Sequence, residues 1–521
     1  MATLTHDGAV RRDPRRWWAL GALVASMLVL GFDMTILNVA LPTMARDLGA
    51  STGQQQWMAD AYVVVFASLM LPAGLLGDRF GRRRMLITGL AVFLAGSLAG
   101  SLVDDVTWVI VARALMGVGG ALVMPLALAV LPSLFGPDER TRAVGAVSAA
   151  SALGLPLGPI IGGWLLNHFW WGSVFLVNVP MAAIGITACV LLLPETRDPA
   201  APRVDALSTA LTAVGLGVLV YAIIEAPSRG WGDPLVLACF AASAALITLL
   251  VVRERRSPRP MLDLALLGRR GFLLNTLAAT LVMFVLSGLM FVLPQYLQAV
   301  LGHDALATGV RTLPMMGGLL IASRGAQPLV ARFGGRGVIG AGLVVLAFAA
   351  FLGSRTAVGD GYGVTALWLS VAGLGFGFAV VPAMSAALGT LPRDRAGSGS
   401  GLLMTVRQVG GAIGIALLGS LLASTYADRL DTSALPPAAV RAADGSVVGA
   451  HVVAGRLGDR ALDAAANAAY VHGMDLVLLV SGVAALVTAL LAAALLPSPP
   501  RSAPASEEGT DMAPATADAG Q

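Results

Sequence analysis

The chain has 521 residues, of which 57% are hydrophobic and only 12% are charged, and its mean hydropathy is +0.80. A soluble domain carries about 25% charged residues, so this composition excludes a soluble globular protein and indicates an all-α polytopic membrane protein. The net charge of +4, carried by arginine without any lysine, is too small to indicate a nucleic-acid-binding surface.

A transmembrane helix needs about 20 apolar residues, and the sequence contains fourteen such segments. The first follows a short arginine-rich tail and is longer than the apolar part of a signal peptide, so we expect it to be retained. Most arginines outside the segments fall in loops on the same side as both termini, which the positive-inside rule assigns to the cytoplasm. The segments are roughly 17–43, 56–77, 84–103, 106–131, 141–166, 172–193, 205–226, 234–252, 271–293, 306–331, 337–354, 362–390, 399–424 and 472–496.

Three ionisable residues fall inside apolar segments of the first half. Asp33 lies in FDMTILNVALP of the first segment, Asp60 in QWMADAYVV close to the start of the second, and Arg113 in ARALMGVGGAL of the fourth. Such residues are costly in a membrane and mark a proton or substrate path. A lone carboxylate in a low-dielectric medium binds a proton more readily than in water, and a nearby arginine opposes this.

We therefore expect Asp33 to alternate between a proton and a cationic substrate, with Arg113 helping it to release the proton. Asp60, expected near the surface, would support cation selection at the outer mouth. The alternative is that Asp33 and Arg113 form a fixed structural ion pair.

The loop after the second segment, GLLGDRFGRRRML, combines a tight turn with several charges. Gly81 permits the turn, and we expect Asp78 at the start of the third segment, where an acid can interact with a helix N-terminus. The arginines can pair with Asp78 or with lipid phosphate, and simple positive-inside anchoring is the alternative. The motif comprises Gly74, Asp78, Arg79, Gly81, Arg82 and Arg83.

The fifth segment contains GLPLGPIIGGWL, in which glycine recurs at every fourth position. This spacing gives one smooth helix face for close packing, and the prolines bend the helix. A packing motif without functional specificity is the alternative. The motif comprises Gly154, Gly158, Pro159, Gly162 and Gly163.

The chain also contains an internal repeat, because DRFGRR at 78–83 returns as ARFGGR at 331–336 and other matches share nearly the same offset. The repeat predicts two six-helix halves with a site near the midplane between them. The predicted units are a tail 1–16, a first bundle 17–193, an inserted two-helix hairpin 205–252, a basic linker 253–270, a second bundle 271–496 with a long extracellular loop 425–471, and a tail 497–521 that we expect to be disordered.

An amphipathic compound of drug size needs apolar and aromatic walls, and aromatic faces also attract cations. Each candidate for such a wall is equally consistent with ordinary core or lipid-facing packing. The candidates are Trp57, Tyr62, Met290, Phe291, Phe376, Phe378 and Met404.

No pattern indicates an enzyme, a metal site or a bound cofactor. The glycines at 335, 337 and 340 match GxGxxG, but no predicted strand precedes them. Both cysteines, Cys189 and Cys239, lie in apolar segments and predict no disulfide. We expect a proton gradient to supply the energy.

The motifs together resemble those of the major facilitator superfamily. FDMTILNVALP, GLLGDRFGRRRML, ARALMGVGGAL and GLPLGPIIGGWL are similar to its first-span, A, B and C motifs, and the C motif marks antiporters. LPQYLQAVLG and TVRQVGGAIG resemble second-half motifs of the fourteen-span drug:proton antiporters. QWMADAYVV, the WWGSVFLVNVP run and the long loop before the last segment resemble the QacA/LfrA/SmvA-like branch.

The resemblance implies two six-helix halves plus two inserted helices, in a bacterial cytoplasmic membrane, acting as a monomer. It implies a proton-coupled antiporter that exports amphipathic, cationic compounds such as quaternary ammonium compounds, dyes and antibiotics by alternating access. An exporter of an endogenous antibiotic, metabolite or lipid precursor is the main alternative, and a non-transporting sensor or scaffold is a lesser one.

Three departures from the family pattern stand out. Met116 replaces the usual glutamine of the B motif, and Ala331 replaces the acid in the second copy of the A motif. The tenth segment lacks the acid that dication exporters carry, which argues against efficient export of divalent cations.

Overall fold

The computed structural model describes residues 16–197, 205–257, 260, 263–391, 396–433 and 435–496, and within these ranges it is helical without strands. An all-α membrane fold is thus confirmed, since twelve of the described helices are long and apolar enough to cross a membrane. A 3₁₀ turn (Leu264–Gly268) precedes α11, and a π turn (Tyr296–Val300) follows it. The helices are α1 (Arg16–Leu48), α2 (Thr52–Phe80), α3 (Arg82–Leu102), α4 (Val106–Ala129), α5 (Leu131–Leu134), α6 (Pro137–His168), α7 (Ser173–Leu176), α8 (Asn178–Leu192), α9 (Ala206–Arg229), α10 (Pro234–Arg256), α11 (Arg270–Gln295), α12 (Ala305–Arg311), α13 (Leu313–Gly353), α14 (Tyr362–Gly389), α15 (Ala396–Arg429), α16 (Pro437–Gly445), α17 (Val447–Leu457) and α18 (Arg460–Leu495).

One long helix, α13, covers two predicted segments. It is interrupted at Gly334, whose φ of 79° and ψ of 153° are not helical. Before this point Gly318 lies against Ser370 of α14, and after it Gly353 lies against Trp368, two residues earlier on α14. The chain therefore runs along α14 and doubles back at Gly334. With α6 covering the predicted segment 141–166, the described helices are compatible with fourteen crossings, and that number stays a prediction.

The two halves share one packing pattern. α1 packs on α6 as α11 packs on α15, and α3 packs on α8 as α13 packs on α18. Gly81, between α2 and α3, has a φ of 111°, and its counterpart Gly334 has a φ of 79°. Both values lie where glycine is favoured, so the repeat seen in the sequence is also a repeat of backbone geometry.

The inserted helices α9 and α10 pack on each other, and α9 also packs on α2 and α15, one helix from each half. Val220 and Ile224 of α9 share a buried apolar cluster with Val64 of α2 and Ala416 of α15. The hairpin therefore covers one flank of the junction between the halves.

The loop predicted at 425–471 is shorter in the structure. α15 continues to Arg429, and α18 begins at Arg460 because Asp459 accepts hydrogen bonds from two backbone N–H groups of its first turn. The intervening chain forms α16 and α17. Thr52 of α2 donates a hydrogen bond to the carbonyl of Gly445 at 2.9 Å, so this loop packs on the outer end of α2. Here "outer" refers to the orientation predicted from the arginines.

Candidate functional site

The centre of the first half holds a buried ion pair. Arg113 Nη1 donates to Asp33 Oδ2 at 2.7 Å, and the two side chains are only 3% and 2% exposed. Arg113 Nε also donates to the carbonyl of Met58 at 3.2 Å, and the guanidinium lies 4.5 Å from the centre of the Tyr62 ring. These contacts compensate the arginine for its loss of hydration.

Asn178, which the sequence analysis did not single out, completes this site. Its side-chain amide donates to Asp33 Oδ1 at 3.3 Å and to Ser97 Oγ at 3.1 Å. Asn178 opens α8 directly after the short helix α7, which turns it towards α1 and α3. The sequence signal was a single amide in the apolar run WWGSVFLVNVP. Both carboxylate oxygens of Asp33 therefore have donors.

Asp60 is buried without any partner. Its side chain is 0% exposed, and neither oxygen has a hydrogen-bond partner among the residues that the structure describes. The depth expected for Asp60, near the outer membrane surface, stays a prediction, but its side chain is enclosed by protein. A capping box between Ser51 and Gln54 starts α2 earlier than predicted, so Asp60 lies about 12 Å into the helix from its first residue, Thr52.

The surroundings of Asp60 place it at the junction of the two halves. Gln56, one turn before it, donates to the carbonyl of Ala416 on α15 at 2.8 Å. Val64, one turn after it, packs in a cluster with Ala412 and Ala416. Residues four apart share a helix face, so Asp60 lies on the face of α2 that meets the second half.

Gln56 also joins a hydrogen-bond cluster that unites three helices, which we call the outer clasp: Gln56 of α2, Ser420 of α15 and the carbonyl of Ile223 on α9. Gln56 Nε2 reaches the carbonyl of Ile415 at 3.1 Å and Ser420 Oγ at 3.5 Å. Ser420 Oγ donates to the Ile223 carbonyl at 2.8 Å. The sequence analysis missed these residues, because single glutamines and serines in apolar helices carry no distinctive spacing.

A second contact joins the halves on the outer side. Gln298, in the π turn after α11, donates to the carbonyl of Val39 on α1 at 2.8 Å. Together with the outer clasp, this contact holds the outer ends of the two halves together.

The GLLGDRFGRRRML loop is held differently from the prediction. Asp78 belongs to the last turn of α2 rather than to the start of the third span, and it pairs with Arg82 at 2.7 Å. Arg82 also donates to the carbonyl of Ala129, the last residue of α4, at 3.0 Å. A Cβ on Gly74 would lie 4.0 Å from the side chain of Pro125 on α4. Asp78 thus ties the loop to α4 through Arg82.

The acid at the N-terminus of α3 is Glu195, which follows α8. Its carboxylate accepts from the backbone N–H groups of Arg83 and Arg84 at 3.2 and 3.3 Å. A Cβ on Gly81 would lie 2.5 Å from this carboxylate, so the turn needs glycine for space as well as for its φ. Arg79 is exposed beside the ring of Phe80.

The glycines of the fifth segment allow close contact on two sides. Gly154, Gly158 and Gly162 face α1, where a Cβ on Gly154 would lie 2.5 Å from the backbone of Gly31. Gly163 instead contacts the backbone of Ala305 on α12, as the carbonyl of Pro159 contacts Gly309. The motif therefore packs α6 against its own half and, at its outer end, against the second half.

The predicted wall residues do not converge on one surface. Tyr62 lies under Arg113 and is 1% exposed. Trp57 packs beside Tyr221 of the inserted helix α9, with ring centres 6.3 Å apart. Phe378 lies beside Gly325 and Gly342 within the second half.

The remaining wall candidates differ mainly in exposure. Phe291 and Phe376 are fully buried core residues, and Met290 is 7% exposed. Met404 of α15 is partly exposed. Among the described residues, no group of three His, Cys, Asp or Glu side chains could hold a metal ion.

Comparisons with known proteins agree on the family. The model of the Major Facilitator Superfamily matches residues 23–415. The chain is 32% identical to the tetracenomycin C resistance and export protein of Streptomyces glaucescens, over 94% of this chain and 95% of that protein. It is 36% identical to the puromycin resistance protein pur8 of Streptomyces alboniger, over 84% and 87% of the two chains. It is 34% identical to the multidrug efflux pump LfrA of Mycolicibacterium smegmatis, over 86% and 89%.

Solved structures share the fold at low sequence identity. A bacterial homologue of the human lysosomal transporter Spinster, in an inward-facing and unoccupied conformation, superimposes with a TM-score of 0.68 at 18% identity, covering 93% of this chain and 98% of that one. A D-xylose–proton symporter gives a TM-score of 0.60 at 13% identity, covering 92% and 98%.

Proposed function

The chain belongs to the Major Facilitator Superfamily, and from this premise we propose that it is an efflux antiporter, which exchanges inward-moving protons for an outward-moving amphipathic compound. It is a multi-pass membrane transporter and not an enzyme. The proposal of export is supported by three similar proteins that are named for export, resistance or efflux.

The observation that carries proton coupling is the unpartnered carboxyl group of Asp60. A carboxylate buried without a donor is costly to keep ionised, so Asp60 can hold a proton at the junction of the halves. Asp33 differs, because Arg113 and Asn178 already satisfy it. We propose that Asp60 carries the proton in this state, and that Asp33 can take one only when its pair with Arg113 opens.

Export would proceed by alternating access. The outer clasp and the Gln298–Val39 contact hold the outer ends together, which supports a state closed to the outside. Rocking of the halves about their junction would break these contacts and carry Asp60 to the other side. We propose that both termini are cytoplasmic and that a monomer suffices.

The class of compound is a finer question. The sequence favours a cationic drug or dye, for which Asp60 is the free carboxyl group. Export of an endogenous antibiotic or metabolite is the second candidate, since one similar protein is named for the export of tetracenomycin C. The positive charge of the second half bears on the choice between these two classes of compound.

Proteoliposomes with an imposed pH gradient test the proposal. Flux of ethidium, a cationic dye, and of rhodamine 19, a dye with a carboxyl group, would be compared between wild type, Asp60→Asn and the control Asp104→Asn, an exposed outer acid. We expect wild type and Asp104→Asn to move at least one dye against its gradient, and Asp60→Asn to lose this. Gradient-driven flux that survives in Asp60→Asn would remove Asp60 from the coupling path.

A further inference from the structure

The second half contains two arginines at membrane depth, Arg324 on α13 and Arg407 on α15. Arg324 precedes Arg332, near the predicted inner surface, by eight residues, or about 12 Å of helix. Arg407 lies eleven residues after Ala396, the first residue of α15, or about 16 Å along it. Both arginines are therefore deep in the membrane on the inner side of its centre.

Neither arginine has the partners that Arg113 has. Among the residues that the structure describes, Nε of Arg407 is buried without a hydrogen-bond partner, and Nη1 has only the sulfur of Met384 on α14, at 3.2 Å. A thioether sulfur is a weak acceptor. Arg324 is exposed and makes no hydrogen bond or ion pair within the described ranges. Arg113, by contrast, has a carboxylate, a carbonyl and an aromatic ring.

Arg407 lies on a helix that packs against several others. The side chain is partly exposed, although α15 is surrounded by α2, α9, α11, α14 and α18. A guanidinium remains charged at any physiological pH, and an arginine at this depth faces protein or a water-filled cavity rather than lipid tails. Arg407 therefore carries a positive charge for which the described residues supply no counter-charge, with the sulfur of Met384 as its one acceptor among them.

The first half does not supply the missing negative charge. Asp33 is neutralised by Arg113, and Asp60, when it carries a proton, is neutral. The unbalanced charge at Arg407 is then positive, and a permanent cation would be repelled by it. An ionised acid would be attracted, and a guanidinium binds carboxylates through two parallel hydrogen bonds.

We infer that Arg407 binds an acidic group of the exported compound, a carboxylate or an ionised phenol. The inference rests on the proposed transport function and names its substrate class, an amphipathic acid rather than a permanent cation. The sulfur and methylene groups of Met384 and the partly exposed Met404 supply an adaptable apolar surface beside the guanidinium.

Equilibrium binding to the full chain in lipid nanodiscs tests the inference without any proton gradient. The probes are rhodamine 19 and its ethyl ester rhodamine 6G, which share the ring system and differ in the carboxylate. Empty nanodiscs correct for partition into lipid. We expect wild type to bind the acid about tenfold more tightly than the ester, as a charge-assisted hydrogen bond provides.

Three variants test whether Arg407 causes the preference for the acid over the ester. Arg407→Gln should bind both dyes alike, because it loses the hydrogen bonds to the acid and no longer repels the cationic ester. Arg407→Lys should keep part of the preference, because it keeps the charge but loses the planar fork. Arg355→Gln, which removes an exposed arginine at the outer end of the same half, should leave the preference unchanged.

The inference is overturned if wild type binds the ester as tightly as the acid, if it binds neither, or if Arg407→Gln keeps the preference. Should Arg407→Gln fail to elute as a folded monomer, Arg407→Lys decides the matter by the size of the acid preference. A protein that binds the acid selectively but shows no gradient-driven flux refutes the proposed coupling and leaves this inference standing. Gradient-driven flux of ethidium in a protein that does not bind the acid selectively would support the proposed coupling and overturn this inference.

Discussion

Ser420 of the second half donates its hydroxyl to the carbonyl of Ile223 in the inserted helix α9, at 2.8 Å. Pro227, four residues later, has no N–H to give this carbonyl. The serine therefore replaces a missing helical hydrogen bond with one from another helix. Since Gln56 approaches the same serine, the proline is what lets α9 take part in the outer clasp.

We predict that Ser420→Ala loosens the outer side. The loss of one hydrogen bond of about 1 kcal/mol should raise the population open to the outside roughly fivefold. The measurement is the rate at which a membrane-impermeant maleimide labels Ala40→Cys, a fully buried position on α1, after Cys189 and Cys239 are replaced by alanine.

Two further variants make this test specific. Pro227→Ala restores a backbone N–H for the Ile223 carbonyl, so Ser420→Ala should have less effect in that background. Ser243→Ala is the matched control, because Ser243 donates to the carbonyl of Gly215 within the hairpin at 2.8 Å. Faster labelling in Ser243→Ala, or additive effects of Ser420→Ala and Pro227→Ala, would contradict the role of the clasp.

Substitution of the two buried acids of the first half, Asp33 and Asp60, should change the stability of the protein by different amounts. Asp33→Asn leaves Arg113 buried without a counter-charge, which costs about 3–5 kcal/mol and should lower the melting temperature by more than about 5 °C. Asp60→Asn breaks no hydrogen bond in this state, so its melting temperature should stay within about 2 °C of wild type. Thermal unfolding in one detergent compares them, and equal losses would mean that Asp60 has a partner.

Close contact between α1 and α6 predicts a large effect of a single methyl group. A Cβ at position 154 would meet backbone atoms of Gly31, which cannot turn away, so Gly154→Ala should destabilise the protein by about 1–3 kcal/mol. Gly145→Ala on the same helix meets nothing within 4 Å and should be neutral or stabilising by up to about 1 kcal/mol. Unfolding midpoints measure both, and similar values would refute the contact.

Glu195 should control the order of the first turn of α3. Glu195→Ala removes the acceptor of two backbone N–H groups, a loss of about 1 kcal/mol for a helix cap. Hydrogen–deuterium exchange of the amides of Arg83 and Arg84 should accelerate roughly fivefold. Glu225→Ala, which removes a salt bridge to Arg229 elsewhere, should leave these amides unchanged. Unaltered exchange in Glu195→Ala would exclude the cap.

A functional residue can be recognised from the sequence when its chemistry differs from that of its neighbours in the chain. Asp33 and Arg113 are conspicuous because charges are rare in apolar segments, and their pairing could be anticipated. The burial of Asp60 was not anticipated because the polar run before it suggests a loop, whereas Ser51 and Gln54 cap a helix that packs against α15.

Other features depend on partners that are distant in the chain. Glu195 lies 112 residues after Arg83, in the helix turn that it caps, and nothing local marks it. The same holds for Trp57, whose aromatic character suggested a binding wall. Its neighbour in the structure is Tyr221 of the inserted hairpin, a contact that no periodicity within α2 could indicate.

The position of α9 makes the two flanks of the junction between the halves differ in how they are covered. By packing on both α2 and α15, this helix shields one flank of the junction from the lipid. Within the described ranges, the inserted pair does not pack in the same way on α6 and α13 at the other flank. We expect a compound dissolved in the membrane to reach the interior from that second flank. The two inserted helices would thus leave this transporter, whose halves are related by pseudo-symmetry, with one lateral entrance from the membrane.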